Sequence, residues 1–160
     1  MKICILYHSQ SGVTESFANV LQEVLQKAGH SADCLKLATL NPVKQASVRD
    51  KQEIKITNLP DPEAYDMIMF GGPVWAFGPS PLIVAAIKQM DHLQGKKCCS
   101  FVTMGFPFRW MGGNAAIGYM ARELRAKGAI PQASAICTRF SKDLKVSMQS
   151  RAKELILQLG

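Results

Sequence analysis

Apolar segments of strand length alternate with amphipathic segments of helix length along this chain. That alternation predicts an α/β protein, an open parallel sheet covered by helices on both faces. Three observations carry the prediction. Ile3-Cys4-Ile5-Leu6-Tyr7 is a short run rich in β-branched and aromatic residues, followed by a long helical stripe. Met67-Ile68-Met69-Phe70 is continuously apolar, as in a strand buried on both sides. The 160 residues are 48% hydrophobic and 19% charged, enough for one compact domain spanning 1–160 that buries about 70% of its unfolded surface.

After the first strand, Val13, Phe17, Val20, Leu21, Val24, Leu25 and Ala28 fall on one helical face, and Gly29 stops the helix. Ala32 to Leu37 alternates well enough for a second strand. Asn41-Pro42 is read as the start of a short helix through about Arg49, and Ile54-Lys55-Ile56 has brief strand character. Leu59-Pro60-Asp61-Pro62 is a turn. The third strand, Met67–Phe70, is expected to break at Gly71-Gly72-Pro73. Ser80-Pro81 reads as a cap and first helical residue. Cys98 to Met104 forms a fourth strand, and a helix from Gly113 to about Lys127 closes at Gly128. Ala129 to Cys137 is a fifth strand, placed at an edge by Pro131. Ser141 is expected to cap a last helix with Leu144, Met148, Leu155, Ile156 and Leu159 inward.

Composition excludes several classes. No apolar run reaches membrane-spanning length, and Met1-Lys2 leads into a strand rather than a signal peptide. The five cysteines lack zinc spacing and any C-x-x-C, so they read as small buried hydrophobes of a reducing cytoplasm. Cys98 and Cys99 would point to opposite faces of a strand, which argues against a bond between them. His8, His30 and His92 have no partners at ligand spacing, so no metal site is assigned. The net charge of +7 divides into −1 for residues 1–80 and +8 for residues 81–160. The basic residues are scattered rather than clustered in a motif, so they read as a solvated face or an attraction for anions and not as a nucleic-acid site.

In a parallel sheet, ligands bind beyond the carboxyl ends of strands where the strand order reverses. The loops there have unusual composition. Ser9-Gln10-Ser11-Gly12-Val13-Thr14 joins strand to helix with hydroxyls and a glycine and no basic residue. Such a turn offers free N–H groups at the positive end of a helix dipole, a phosphate site needing no Lys or Arg. An ordinary capped helix start, with Ser11 or Thr14 bonded to its own backbone, is the competing reading. The loop has neither G-x-x-x-x-G-K-[ST] nor G-x-G-x-x-G, which excludes a P-loop and a dinucleotide fingerprint. The next loop reads Gly71-Gly72-Pro73-Val74-Trp75-Ala76-Phe77-Gly78-Pro79, and the one after the fourth strand Gly105-Phe106-Pro107-Phe108-Arg109-Trp110-Met111-Gly112-Gly113. Together they hold both tryptophans and three of the seven phenylalanines. Apolar wealth in loops indicates walls for a flat aromatic ligand, or else core packing or a subunit interface.

The stretch Ile5 to Ala18 resembles the FMN-phosphate signature of the flavodoxin family, and Phe70 to Gly78 is similar to its flavin-contacting loop. The resemblance implies a flavodoxin-like three-layer fold with five parallel strands in the order 2-1-3-4-5. It also implies FMN as cofactor, with phosphate on Ser9, Gln10, Ser11, Gly12, Val13 and Thr14. The isoalloxazine would then lie between Pro73, Val74, Trp75, Ala76, Phe77 and Gly78 and a second wall of Gly105, Phe106, Phe108, Arg109, Trp110, Gly112 and Gly113.

Flavodoxin carriers are usually acidic, whereas no Asp or Glu occurs between Gly71 and Met90 or between Lys96 and Arg122. A cation such as Arg109 at ~6 Å and an effective dielectric of ~20 would stabilise a reduced flavin anion by about 3 kcal/mol before solvent screening. In this respect the chain resembles FMN-dependent NAD(P)H:quinone reductases of the same fold. That likeness implies two-electron transfer from NAD(P)H through FMN to a quinone or similar small acceptor, in an enzyme that is often oligomeric. An electron carrier between redox protein partners and a flavin-free binding module are the other readings.

Overall fold

The computed structural model describes residues 1–159. Five strands form a parallel row: β1 (Lys2–Tyr7), β2 (Ser31–Lys36), β3 (Met67–Trp75), β5 (Lys97–Met104) and β6 (Ile130–Thr138). Their order is β2-β1-β3-β5-β6, the expected one, with the strand order reversing between β1 and β3. A two-residue strand, β4 (Gly78–Pro79), folds back antiparallel on the end of β3. Helix α1 (Val13–Lys27) and α4 (Leu144–Leu157) cover one face of the sheet, and α2 (Pro81–Gln89) and α3 (Gly113–Ala126) the other.

The two cores follow from the period of two along each strand. Ile3, Ile5, Met67, Met69 and Phe101 meet Phe17, Leu21 and Leu25 of α1 and Met148 and Leu155 of α4. Their neighbours Cys4, Leu6, Ile68, Phe70 and Val102 meet Ile83 and Ile87 of α2 and Met120 and Leu124 of α3. Cys98 lies in one core and Cys99 in the other, both free thiols that burial pushes up to about 12. Phe17 and Phe101 pack edge to face with centroids 5.6 Å apart.

Three local expectations are corrected. β3 does not break at Gly71-Gly72-Pro73 but continues to Trp75. Gly71 is required there because a Cβ would collide with the ring of Phe101. Pro73 costs no ladder bond: Gly71 O accepts from His8 N, so Pro73, two residues on, faces the same side after β1 has ended. Residues 42–49 form no helix. Gln52 instead bonds both the N–H and the carbonyl of Lys44, and an isolated bridge joins Thr39 to Ile56. The cap of α4 is Asp143, whose Oδ1 accepts from Val146 N at 3.2 Å, while Ser141 bonds the Asp143 carbonyl. The last strand, β6, is the edge strand that Pro131 leads one to expect, and it runs through that proline with a bulge opposite Cys98 and Cys99.

Candidate functional site

A cleft of about 440 Å³ opens where the strand order reverses, at the carboxyl ends of β1, β3 and β5. Its floor and first wall begin at the β1–α1 turn. Gly12 has φ 87°, a left-handed conformation that suits glycine, and it starts α1 without a side-chain cap. The first loop bond into the helix runs from Ser16 N to Gly12 O, so the N–H groups of residues 13–15 have no helical carbonyl to bond. Ser9 Oγ accepts from Gly12 N at 3.1 Å and holds the turn in shape. Ser11 is exposed and lines the cleft together with Gln10 and Val13. Thr14 does not: it is buried, and its hydroxyl pairs with that of Thr103 at 2.7 Å. Neither Ser11 nor Thr14 bonds its own backbone, as an ordinary capped helix start requires; of the three hydroxyls only Ser9 serves the loop. The acid of the first turn, Glu15, accepts a 2.8 Å bond from Tyr7 Oη. Burial, and then this bond to Glu15, hold the Tyr7 phenol protonated well above its usual range.

The second wall is the β3–β4 hairpin. Ala76 (φ 48°) and Phe77 (φ 60°) are both left-handed, in a two-residue turn whose ends pair Trp75 with Gly78. Two non-glycine residues in this region store backbone strain that the surrounding contacts must hold. Those contacts are visible. Trp75 is only 5% exposed and packs edge-on against His8, with centroids 4.9 Å apart. His8 Nδ1 lies 2.6 Å from Ser80 Oγ, and that hydroxyl accepts from Leu82 N at the start of α2. The Ser80 hydroxyl keeps a second lone pair as well as its proton, so it pairs with either tautomer of the neutral imidazole. Burial, and secondarily Lys36, push His8 down to about 4.

The third wall follows β5. Thr103, Met104, Gly105, Phe106 and Met111 line the cleft, and Arg139 reaches it from the end of β6. Phe77 and Phe106 face each other across the mouth as parallel rings, 5.8 Å apart and 5° from coplanar. Phe108 and Trp110 stack on one another outside, and Trp110 is 74% exposed. Thr138 Oγ1 donates to Phe106 O at 2.6 Å and ties this loop to β6. The walls touch at Gly112, where a Cβ would meet Phe77 Cα at 2.8 Å. Gly113 is likewise packed, against Met104 and Ile136.

Of the residues expected at the site, Gln10, Ser11, Val13, Pro73, Val74, Trp75, Ala76, Phe77, Gly105 and Phe106 line one cleft. Ser9, Gly12, Thr14, Gly78, Gly112 and Gly113 shape its frame. Phe108, Arg109 and Trp110 are exposed residues outside its lining. Arg109 is thus not the cation of the cleft; Arg139 is, and no carboxylate is among the lining residues. The strand-end rule could have found Arg139, because β6 also ends at this edge. Thr103 and Met104 are the last residues of a strand read correctly, while Gln45, from the irregular segment, had no sequence signal.

No family model matches the chain, and no curated protein matches it. Solved structures do. Oxidised flavodoxin 1 of Bacillus cereus aligns over 100% of both chains at 21% identity and a TM-score of 0.63. A flavoprotein of Lactobacillus acidophilus NCFM in complex with FMN aligns over 84% of this chain and 92% of its own, at 22% identity and a TM-score of 0.66. Two-electron reduced flavodoxin of Megasphaera elsdenii aligns over 94% and 98%, at 20% and 0.63. The chain therefore has the flavodoxin fold.

Proposed function

We propose that this protein binds FMN at the β1/β3 switch point and uses it to carry electrons. The observation that supports this best is the convergence, in one cleft, of an acid-free amide turn and parallel aromatic walls. When bound, FMN supplies reversible one- and two-electron chemistry. Ser11 and the N–H groups at the start of α1 would hold its phosphate, and its ring system would sit beside the Phe77–Phe106 pair, whose rings are stacked on each other. The cleft volume lies within the range of cofactor sites.

The exposed aromatics outside the cleft mouth, Phe108 and Trp110, favour a carrier that meets a protein partner over an oxidoreductase of small molecules. A second reading, two-electron transfer from NADH or NADPH to a quinone-like acceptor, is favoured by Arg139. This cation lines a cleft without carboxylates and favours a reduced, anionic cofactor.

The test is to load the protein with FMN, mix it without oxygen with NADH or NADPH, and follow the visible flavin band. Tight binding without bleaching supports the carrier. Rapid bleaching that a quinone restores supports the second reading, and failure to retain FMN overturns both in favour of a flavin-free module. Ser11→Ala should weaken FMN about tenfold or more by removing a hydrogen bond to a charged group. Thr14→Ala should lower stability and leave FMN affinity within about threefold, because its hydroxyl already pairs with Thr103.

A further inference from the structure

All five exposed Phe and Trp rings among the described residues, Phe77, Phe106, Phe108, Trp110 and Phe140, lie at the carboxyl edge of the sheet. The remaining phenylalanines, Phe17, Phe70 and Phe101, are fully buried, so the chain does not shed aromatics to its surface at random. The five are contiguous through the Phe77–Phe106 and Phe108–Trp110 stacks and through Thr138, whose Oγ1 bonds Phe106 O and accepts from Phe140 N. A concentrated aromatic patch on a protein surface marks a place where another macromolecule sits.

Its rim is basic. Arg109, Arg139, Lys142 and Lys145 surround the patch, and none of them forms an ion pair among the described residues. Lys142 and Lys145 flank the start of α4, the positive end of its dipole, where a cation costs stability rather than adding it. The first turns of α2 and α3 contain no acid, whereas α1 carries Glu15 in its first turn and α4 is capped by Asp143, which lies between Lys142 and Lys145. The N-termini of α2 and α3 therefore add uncompensated partial positive charge to this edge.

We propose that this aromatic, cationic rim is the docking surface for an acidic redox protein that exchanges electrons with the cofactor through the cleft mouth. The inference rests on the FMN reading above and specifies the partner. A second copy of the chain is disfavoured, since a symmetric contact would set Arg139 and Lys142 against their own images. Aromatic rings anchor the complex at short range, while the cations steer its approach.

The experiment uses the FMN-loaded protein and two redox probes, an acidic plant-type [2Fe–2S] ferredoxin and basic cytochrome c. In the first reaction the reduced ferredoxin cluster loses one electron and the cofactor gains it, followed by stopped flow. In the second, the dithionite-reduced holoprotein gives one electron to the haem iron. The ferredoxin rate should fall at least about tenfold between about 10 mM and about 200 mM salt, whereas the cytochrome c rate should rise. Lys142→Glu with Lys145→Glu should cut the low-salt ferredoxin rate about tenfold. Lys97→Glu with Lys153→Glu, the same charge change made away from the rim, should cut it less than about threefold. Trp110→Ala should lower it similarly at every salt concentration.

Equal effects of the near and far pairs would reduce the behaviour to net charge and overturn the proposal. So would a faster reaction with cytochrome c at low salt. Burial of Trp110 fluorescence by phosphatidylglycerol vesicles at about 0.15 M salt would make the face a membrane surface instead. A dimer that Trp110→Ala dissociates would make it a self-contact. If the protein retains FMN and dithionite bleaches it while the probes discriminate nothing, docking fails alone; if FMN is not retained, the cofactor reading fails and docking falls with it.

Discussion

The two tryptophans occupy loops of similar composition on either side of one cleft, and packing gives them opposite roles. Trp75 belongs to a strand that continues past its glycines, and its ring is wedged beneath the hairpin against His8. That side of the cleft is framed by main-chain pairing, by the His8–Ser80 bond and by the start of α2. Trp110 belongs to a loop held by Thr138, by a bond from Met111 N to Phe108 O and by close packing at Gly112. Its ring has Phe108 on one face and is otherwise open to solvent. A tryptophan in a loop is thus no guide to whether it builds a site or advertises one. What decides is whether the backbone beside it is paired.

The comparison breaks most sharply at Trp75. Trp75→Ala removes a buried ring and frees a hairpin already carrying two left-handed residues, so a loss of about 3–5 kcal/mol is expected by urea denaturation. A loss below about 1 kcal/mol would mean that this wall is no firmer than the other.

Next comes His8. Burial lowers it from 6.5 to about 4, so between those pH values the unfolded chain takes a proton that the folded one refuses. The groups around it, Ser80, Trp75 and the Lys36 charge, offer no anion to reverse that. Its contribution to stability is therefore complete above about pH 6.5 and is lost as the pH falls toward 4, by about 3 kcal/mol in all. His8→Gln keeps a hydrogen-bonding group for Ser80 and does not titrate, so its stability should fall less steeply over that window. Parallel pH profiles for the two proteins would show that His8 is not held neutral by the fold.

Much of the molecule was legible because its signals are local and periodic. The stripe Phe17, Leu21, Leu25 and the run Met67–Phe70 each fix an element without reference to the rest. Gly71-Gly72-Pro73 misled because glycine and proline are read as local breakers. Here their reasons are tertiary: the Phe101 ring needs the space, and β1 has ended before Pro73 needs a donor. The short helix expected through Arg49 failed for a related cause. Val43 and Val48 pack onto the core as separate anchors, and Gln52 supplies backbone partners that a helix would have supplied itself. In the cleft, residues of the loops after the first, third and fourth strands were found, whereas the end of β5 itself, Arg139 just past β6, and Gln45 from the irregular segment were not. Ser11 and Phe77 follow from the order of strands and loops. The same rule reaches Arg139 just past β6, but that it lines the cleft while Arg109 does not depends on side-chain placement beyond the strands.

The smallest expected effect is at Trp110, and it sharpens the contrast because so little should happen. Trp110→Ala removes a larger side chain than most core substitutions, yet that side chain has little buried surface to lose. Partial loss of the Phe108 stack should cost at most about 0.5 kcal/mol, as at other exposed positions. The same denaturation experiment that reads Trp75→Ala should find Trp110→Ala almost indistinguishable from the parent protein. A cost near 2 kcal/mol would mean that the ring is packed and that the loop has closed over the cleft. In that case both walls would be structural, and the exposed aromatic face that sets them apart would not exist.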